Sequence, residues 1–152
     1  MSRVCGFKIT SNDLFIVTLE GTRSAPVLVA KDSIRLPPNQ TPGQFANWAE
    51  TQLGLILEQE KPDLIIYKLT TPLFKHDQIF RIYFGIAILN LLAYRLRIDI
   101  RHLTPTQRQP TAFGLLKSDK VDRYIRELFG GQDSPWNFNV REAASIALLG
   151  LD

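Results

Sequence analysis

The sequence contains few of the residues that build disulfides, metal clusters and membrane anchors. One cysteine and two histidines occur in 152 residues, which excludes an internal disulfide and leaves too few ligands for a zinc site of the Cys/His kind. The longest apolar run, Ile82 to Tyr94, is interrupted by Asn90 and is shorter than the about 20 residues that a membrane-spanning helix needs. The first residues do not have the basic and then apolar pattern of a signal peptide. We therefore expect a cytoplasmic protein without a membrane partner.

The overall composition is that of a globular protein. Hydrophobic residues make up 45% of the chain, charged residues 22%, and the net charge is +3. Such a mild positive charge permits a nucleic-acid partner without arguing for one. The length suits one domain over residues 1–152, large enough to bury a core without disulfides.

The first 35 residues predict three antiparallel strands joined by short turns. The first strand starts at Arg3, a turn follows at residues 11–13, and the second strand ends at Glu20. A third strand from Val27 to Ile34 carries charged residues, as edge strands often do. Lys8 is unusual because it lies within a strand that should be buried, where a charge needs a partner.

The remainder of the chain alternates helices and strands. Apolar spacing and capping residues predict a helix from Thr41 to Glu60, a strand from Asp63 to Lys68, a helix from Asp77 to Leu96, a strand from Ile98 to Leu103, a helix capped by Ser118-Asp119, and a last helix from Asn139 to Leu151. A strand that follows a helix usually lies parallel to an earlier strand. The predicted fold class is therefore α/β, with a five-stranded mixed sheet, three antiparallel strands and then two parallel ones, and helices on both faces.

The helix from Asp77 to Leu96 is apolar on almost every side. Such a helix is either wholly inside the protein or has one face against another subunit, and both possibilities stay open. We expect it to be more than half buried and to provide the contact of a homodimer.

Five short segments occur in an order that points to one group of proteins. They are V-C-G-F-K-I-T at residues 4–10, P-D-L-I-I-Y-K at 62–68, L-T-P-T at 103–106, K-S-D-K-V at 117–121 and E-A-A-S-I-A-L at 142–148. Together they resemble the RuvC-like resolvase branch of the ribonuclease H-like superfamily. The resemblance implies a ribonuclease H-like fold and phosphodiester cleavage by two Mg²⁺ ions held on carboxylates. The family's acidic positions correspond here to Lys8, Lys68, Glu142 and Ser145.

The residue types at these positions argue against metal-dependent cleavage. Only Glu142 is acidic, and the ammonium groups of Lys8 and Lys68 repel Mg²⁺ instead of binding it. We therefore predict no metal site at the ends of the first and fourth strands, no catalytic residue and no cofactor. Mg²⁺ enters only under an alternative in which residual cleavage uses Glu142 with other carboxylates, such as Asp119 or Asp122.

The four family positions also have structural interpretations. Lys8 either binds an anion or pairs with a carboxylate, and Glu142 either pairs with Lys8 or closes a capping box with Asn139. Ser145 is expected to pack within its helix. We predict a direct Lys8–Glu142 salt bridge and expect Lys8→Met to cost about 3 kcal/mol by leaving the acid unpaired.

Basic residues are more frequent in the second half of the chain. The predicted nucleic-acid contacts are Lys68, Arg108, Lys117, Lys120 and Arg123, since arginine and lysine suit phosphate; the alternative is an ordinary solvated surface. Three functions follow in decreasing order of support. The first is a degenerate RuvC-like domain that binds DNA or RNA without cleaving it, the second a homodimeric protein-interaction module, and the third a residual Mg²⁺-dependent nuclease.

Overall fold

A five-stranded mixed sheet forms the middle layer of the computed structural model, which describes residues 2–68, 76–130 and 136–152. The strands are β1 (Arg3–Ile9), β2 (Asp13–Thr22), β3 (Ala25–Arg35), β4 (Leu64–Lys68) and β5 (Asp99–Leu103). Their order across the sheet is β3-β2-β1-β4-β5. The pairs β1–β2 and β2–β3 are antiparallel, whereas β4 is parallel to β1 and to β5. The predicted fold class and the edge position of β3 are confirmed.

Helices cover both faces of the sheet. In the described parts of the chain the α-helices are α1 (Pro42–Glu60), α2 (His76–Leu96), α3 (Val121–Phe129) and α4 (Phe138–Leu149), and two 3₁₀ helices, Pro105–Arg108 and Pro110–Phe113, connect β5 to α3. The first two α-helices share one hydrophobic core with the sheet, and the last two share another core on the opposite face. The start of α1 is as predicted, because Thr41 and Gln44 form a capping box.

Side chains alternate between the two faces along β1 and β4. Phe7 and Tyr67 belong to the core under α1 and α2, whereas Ile66 belongs to the core under α4. Lys8 follows Phe7 and Lys68 follows Tyr67, so both lysines are placed on the face that α4 covers. Strand periodicity thus brings two ammonium groups to one side of the sheet.

The close approach of α4 to the sheet depends on Gly6. A Cβ atom at this position would lie 2.4 Å from the carbonyl oxygen of Ala143 and 2.6 Å from the amide nitrogen of Ala147. Any side chain would therefore push the helix away from β1. The glycine that precedes Lys8 by two residues allows α4 to lie directly over the end of the strand.

The expectation that α2 is more than half buried is wrong. Only 33% of the stretch Ile79–Leu96 is buried, although its mean hydropathy of 1.5 and its length would allow it to cross a membrane. One stripe of the helix, including Ile82 and Leu89, packs into the core that α1 shares. Other apolar residues, including Tyr94 and Leu96, remain exposed.

The start of α3 also differs from the prediction. The residue before the helix is Lys120, which makes no side-chain cap. Asp119 instead accepts a hydrogen bond from the amide of Leu116 at 2.9 Å and closes the preceding turn. A short polar side chain can satisfy a turn or a helix end, and here it satisfies the turn.

Candidate functional site

Two lysines lie side by side at the ends of the central parallel strands. Phe7 of β1 is paired in register with Tyr67 of β4, and the next position along each strand is Lys8 and Lys68. In open α/β sheets, ligands usually bind beyond the carboxyl ends of the strands. The two lysines therefore lie at the carboxyl ends of β1 and β4, where a ligand-binding site is expected.

The first half of α4 supplies the side chains that meet these lysines. Its N-cap is Asn137, whose side chain accepts a hydrogen bond from the amide of Val140 at 2.9 Å. Asn139 is therefore not the cap, and of the two alternatives for Glu142 the capping box with Asn139 does not occur. The side-chain oxygen of Asn139 instead accepts a hydrogen bond from Lys8 Nζ at 2.7 Å.

Glu142 is the centre of a cluster of charged groups. Its Oε2 accepts a hydrogen bond from Lys8 Nζ, which confirms the predicted salt bridge. Its Oε1 accepts from Lys68 Nζ at 3.1 Å and lies 3.7 Å from Arg108 Nη1. The Glu142 side chain is only 6% exposed. We call these four residues, Lys8, Lys68, Arg108 and Glu142, the cationic cluster.

Ser145 connects Arg108 to the helix. It is fully buried, and its hydroxyl accepts a hydrogen bond from Arg108 Nε at 2.6 Å and donates one to the backbone oxygen of Glu142, also at 2.6 Å. The residue packs within α4 as predicted, but it also fixes the guanidinium. Sequence reasoning missed this second role.

Electrostatics favour the ionised form of Glu142. Burial alone would raise the pKa of this carboxyl, but the hydrogen bond and charge of Lys8, the charge of Arg108 and the hydrogen bond from Lys68 outweigh it, so the pKa is lowered. Burial lowers the pKa of Arg108, and the charges of Glu142 and Asp122 oppose that shift. Since three cations face one carboxylate, the cationic cluster carries a net charge of two positive units.

The residues at this site do not fit a divalent metal. A hard cation such as Mg²⁺ needs available oxygen ligands, yet both oxygens of Glu142 accept hydrogen bonds from lysines. The Ser145 hydroxyl is also engaged, with Arg108. Among residues 2–68, 76–130 and 136–152, no group of three or more His, Cys, Asp or Glu side chains could hold a metal ion.

The carboxylates considered for residual cleavage have other partners. Asp122 accepts a hydrogen bond from Arg141 Nε at 2.6 Å, which ties α3 to α4. Asp119 closes the turn before α3. Neither contact involves Glu142, and within the described part of the chain these acids do not form a group of three that could hold a metal ion.

The predicted nucleic-acid contacts fall into two groups. Lys68 and Arg108 belong to the cationic cluster. Lys117 and Lys120 are exposed in the turn before α3, and Arg123 is exposed on α3, where it pairs with Glu127 at 3.1 Å. The second group is therefore exposed, lies in or next to α3 and includes an arginine that is already paired with an acid.

Phe138 is a neighbour of the cationic cluster that sequence reasoning did not identify. It is the first residue of α4 and is 54% exposed. Lys8 Nζ lies 5.2 Å from the centre of its ring, within the range of a cation–π contact. The available signal in the sequence was an aromatic residue directly before Asn139, where the last helix was predicted to start.

Comparison with known proteins identifies the fold. No protein-family model matches the sequence, and no curated protein sequence matches it. The solved structure of Thermus thermophilus RuvC in complex with a Holliday junction substrate superposes with a TM-score of 0.80 at 13% identity, covering 98% of this chain and 92% of that chain. This is the fold of the RuvC-like resolvases. The resemblance carried by the five sequence segments is thus confirmed at the level of structure.

Two further resolvase structures extend the comparison. The yeast mitochondrial Holliday junction resolvase has a TM-score of 0.78 and 13% identity, covering 97% of this chain and 77% of that chain. The fowlpox virus resolvase, solved with Holliday junction DNA, has a TM-score of 0.57 and 13% identity, covering 96% and 94%. In this structure Lys8, Lys68 and Ser145 all contact Glu142, so the four positions singled out by the sequence resemblance lie together.

Proposed function

We propose that this protein binds nucleic acid through phosphate groups at Lys8, Lys68 and Arg108, and does not cleave it with metal ions. The observation that carries the proposal is the convergence of these three cations on Glu142 at the ends of β1 and β4. The similarity in fold to resolvases solved with Holliday junctions supports nucleic acid as the partner.

The chemistry of the cationic cluster suits binding without cleavage. Ammonium and guanidinium groups neutralise a phosphate and donate hydrogen bonds to its oxygens, as metal ions would neutralise it. They do not lower the pKa of a bound water to generate the attacking hydroxide, which is the catalytic contribution of a metal. A phosphodiester at this site is therefore held and left intact.

Substitution of Lys68 tests the proposal most directly. Its side chain is 27% exposed, more than that of Lys8 at 19% or Arg108 at 14%, so it is the most accessible to a ligand. We expect binding to labelled DNA and RNA to persist in EDTA and to fall with salt. Lys68→Gln should weaken binding and reduce the slope of log affinity against log salt by about 1.

A matched variant controls for the loss of charge. Lys61 precedes β4 and is exposed at the opposite end of this strand, so Lys61→Gln removes the same charge away from the cluster and should leave the slope close to that of the wild type. Duplex, single-stranded and branched forms are all tested. Lack of binding to every form, or equal effects of the two variants, would overturn the binding proposal. Mg²⁺-dependent cleavage by the purified protein would overturn the proposed lack of catalysis.

The exposed basic residues remain predicted contacts for nucleic acid; they are Lys117, Lys120 and Arg123. A triple variant with glutamine at all three positions is measured over the same range of salt concentrations. We expect a uniform loss of affinity for all nucleic-acid forms, because phosphate contacts carry little sequence or structure information.

A homodimer is a second proposal, favoured by the exposed apolar residues of α2. These are Tyr83, Phe84, Leu91, Tyr94 and Leu96, with exposed fractions from 37% to 84%. Exposed apolar surface on one helix is typical of a protein–protein contact. Sedimentation velocity over a concentration series should show a dimer that Leu91→Glu dissociates; a monomer at every concentration would refute it. The cytoplasmic location stays a prediction.

A further inference from the structure

We infer that Phe138 stacks on a nucleobase and that the protein consequently prefers unpaired nucleotides to duplex. The inference rests on the proposed binding of phosphate at the cationic cluster and specifies the form of nucleic acid bound there. It starts from the position of the ring, which lies at the N-terminus of α4 next to Lys8.

The exposure of Phe138 contrasts with the rest of α4. The helix buries every residue from Val140 to Leu148, yet more than half of Phe138 remains exposed. An isolated apolar residue on a surface needs no explanation by itself. Phe138, however, lies beside the positively charged cationic cluster, and this position suits a contact with a ligand bound there.

The neighbouring aromatic residue, Trp136, shows what a structural role looks like in this region. Its ring stacks on Phe129 with a centroid distance of 5.7 Å and an interplanar angle of 18°. Lys31 Nζ covers it at 4.5 Å from the ring centre. Trp136 is thus enclosed by its neighbours, whereas Phe138 keeps a large exposed surface beside Lys8.

The arrangement suits a single nucleotide, with its phosphate at the lysines and its base on the Phe138 ring. A phosphate that contacts Lys8 and Lys68 would have its sugar and base within reach of the Phe138 ring, since Lys8 Nζ is 5.2 Å from the ring centre. Aromatic side chains that alternate with basic groups are characteristic of single-strand binding, and base stacking is tolerant of sequence because every base has a π-face. In a duplex both faces of each internal base are already stacked, so the base must leave the helix before it can reach such a ring.

Substitution of Phe138 separates the forms of nucleic acid. The probes are a labelled single strand and a labelled hairpin duplex of matched length, measured by fluorescence anisotropy in EDTA. Phe138→Ala should weaken single-strand binding about tenfold, the loss expected for one stacked base, and leave duplex binding unchanged. Phe138→Trp should retain single-strand binding because it keeps a stacking face.

Two further variants exclude simpler explanations. Phe138→Leu keeps an apolar cover over Lys8, so it should melt like the wild type but bind single strands as weakly as Phe138→Ala. Leu55→Ala removes an apolar residue that is 56% exposed on α1, on the other face of the sheet, and should not change binding. Equal weakening of both probes by Phe138→Ala, or full single-strand affinity in Phe138→Leu, would overturn the inference.

The outcomes distinguish this inference from the proposed function. If the wild type binds neither probe, the proposed function itself fails. If it binds both and Lys68→Gln weakens binding while Phe138→Ala does not, the phosphate site stands and the stacking role is refuted.

Discussion

Residues 141 and 142 are adjacent in α4 but belong to ion-pair sites of different kinds. Arg141 donates to Asp122 at 2.6 Å and to the carbonyl oxygen of Trp136 at 2.9 Å. Glu142 faces three cations on two strands and a 3₁₀ helix. The acid in the first site, Asp122, is 26% exposed, whereas Glu142 is 6% exposed.

The two sites differ in the number of positive charges that share one carboxylate. Asp122 is shared by Arg141 at 2.6 Å and by the exposed Arg126 at 3.5 Å. This site connects α3 to α4 and carries one net positive charge, one fewer than the cationic cluster. The cationic cluster retains positive charge after Glu142 is satisfied, and buried charge is stable only when it is paired. A phosphate from outside would provide the missing negative charge.

The largest expected effect comes from removing the carboxylate of the cationic cluster. Glu142→Gln should lower the free energy of unfolding by about 3 kcal/mol, because three partly buried cations lose a common partner. Urea unfolding measures it. Glu127→Gln is the matched control, since Glu127 is 66% exposed in its pair with Arg123, and it should cost less than about 1 kcal/mol. Equal costs would mean that the cluster adds nothing to stability beyond an ordinary surface pair.

The same geometry revises the expectation for Lys8→Met. With Lys68 and Arg108 still near Glu142, the acid is not left unpaired when Lys8 is removed. Lys8→Met should therefore lower the free energy of unfolding by less than the loss of about 3 kcal/mol expected when a buried pair is broken.

An intermediate effect is expected at the site formed by Arg141 and Asp122. Asp122→Asn removes the charge opposite Arg141, which is a buried residue, but the hydrogen bond to the Trp136 carbonyl remains. We expect a loss of about 1–2 kcal/mol in the free energy of unfolding, measured by urea unfolding, and no change in nucleic-acid affinity. Weaker binding in this variant would show that the two sites are coupled.

The smallest effect is a dependence of stability on pH. The folded protein lowers the pKa of Glu142 below its ordinary value of 4.5. The stabilisation from this group is therefore complete above that value and is lost as the pH falls below it and through the lowered pKa. The difference in unfolding free energy between the wild type and Glu142→Gln should be constant near neutral pH and shrink in acid. If this difference in unfolding free energy grew in acid, the pKa of Glu142 would be raised in the folded protein and the prediction would be wrong.

Sequence patterns predicted the fold because each strand and helix carries its own local signal. The resemblance of the five segments implied that Lys8, Lys68, Glu142 and Ser145 lie at one site, and the alternation of side chains in β1 and β4 explains why both lysines face α4. The patterns could not decide between Asn137 and Asn139 as the cap of α4, since either can satisfy a helix end. They also gave no sign that Arg108 would donate to Ser145, because the choice of partner depends on tertiary packing. An almost uniformly apolar α2 does not reveal from its sequence which stripe is buried.

The cationic cluster also connects parts of the chain that are remote in sequence. Lys8 is separated from Glu142 by 134 residues and Lys68 from Glu142 by 74, so these contacts can form only after β1, β4 and α4 have come together. Contacts of high sequence separation cost more loop-closure entropy and tend to form late in folding. Interactions absent from the transition state act on the unfolding rate and leave the folding rate nearly unchanged. We therefore expect the cluster to govern how long the folded state persists and to have little influence on how fast that state is reached.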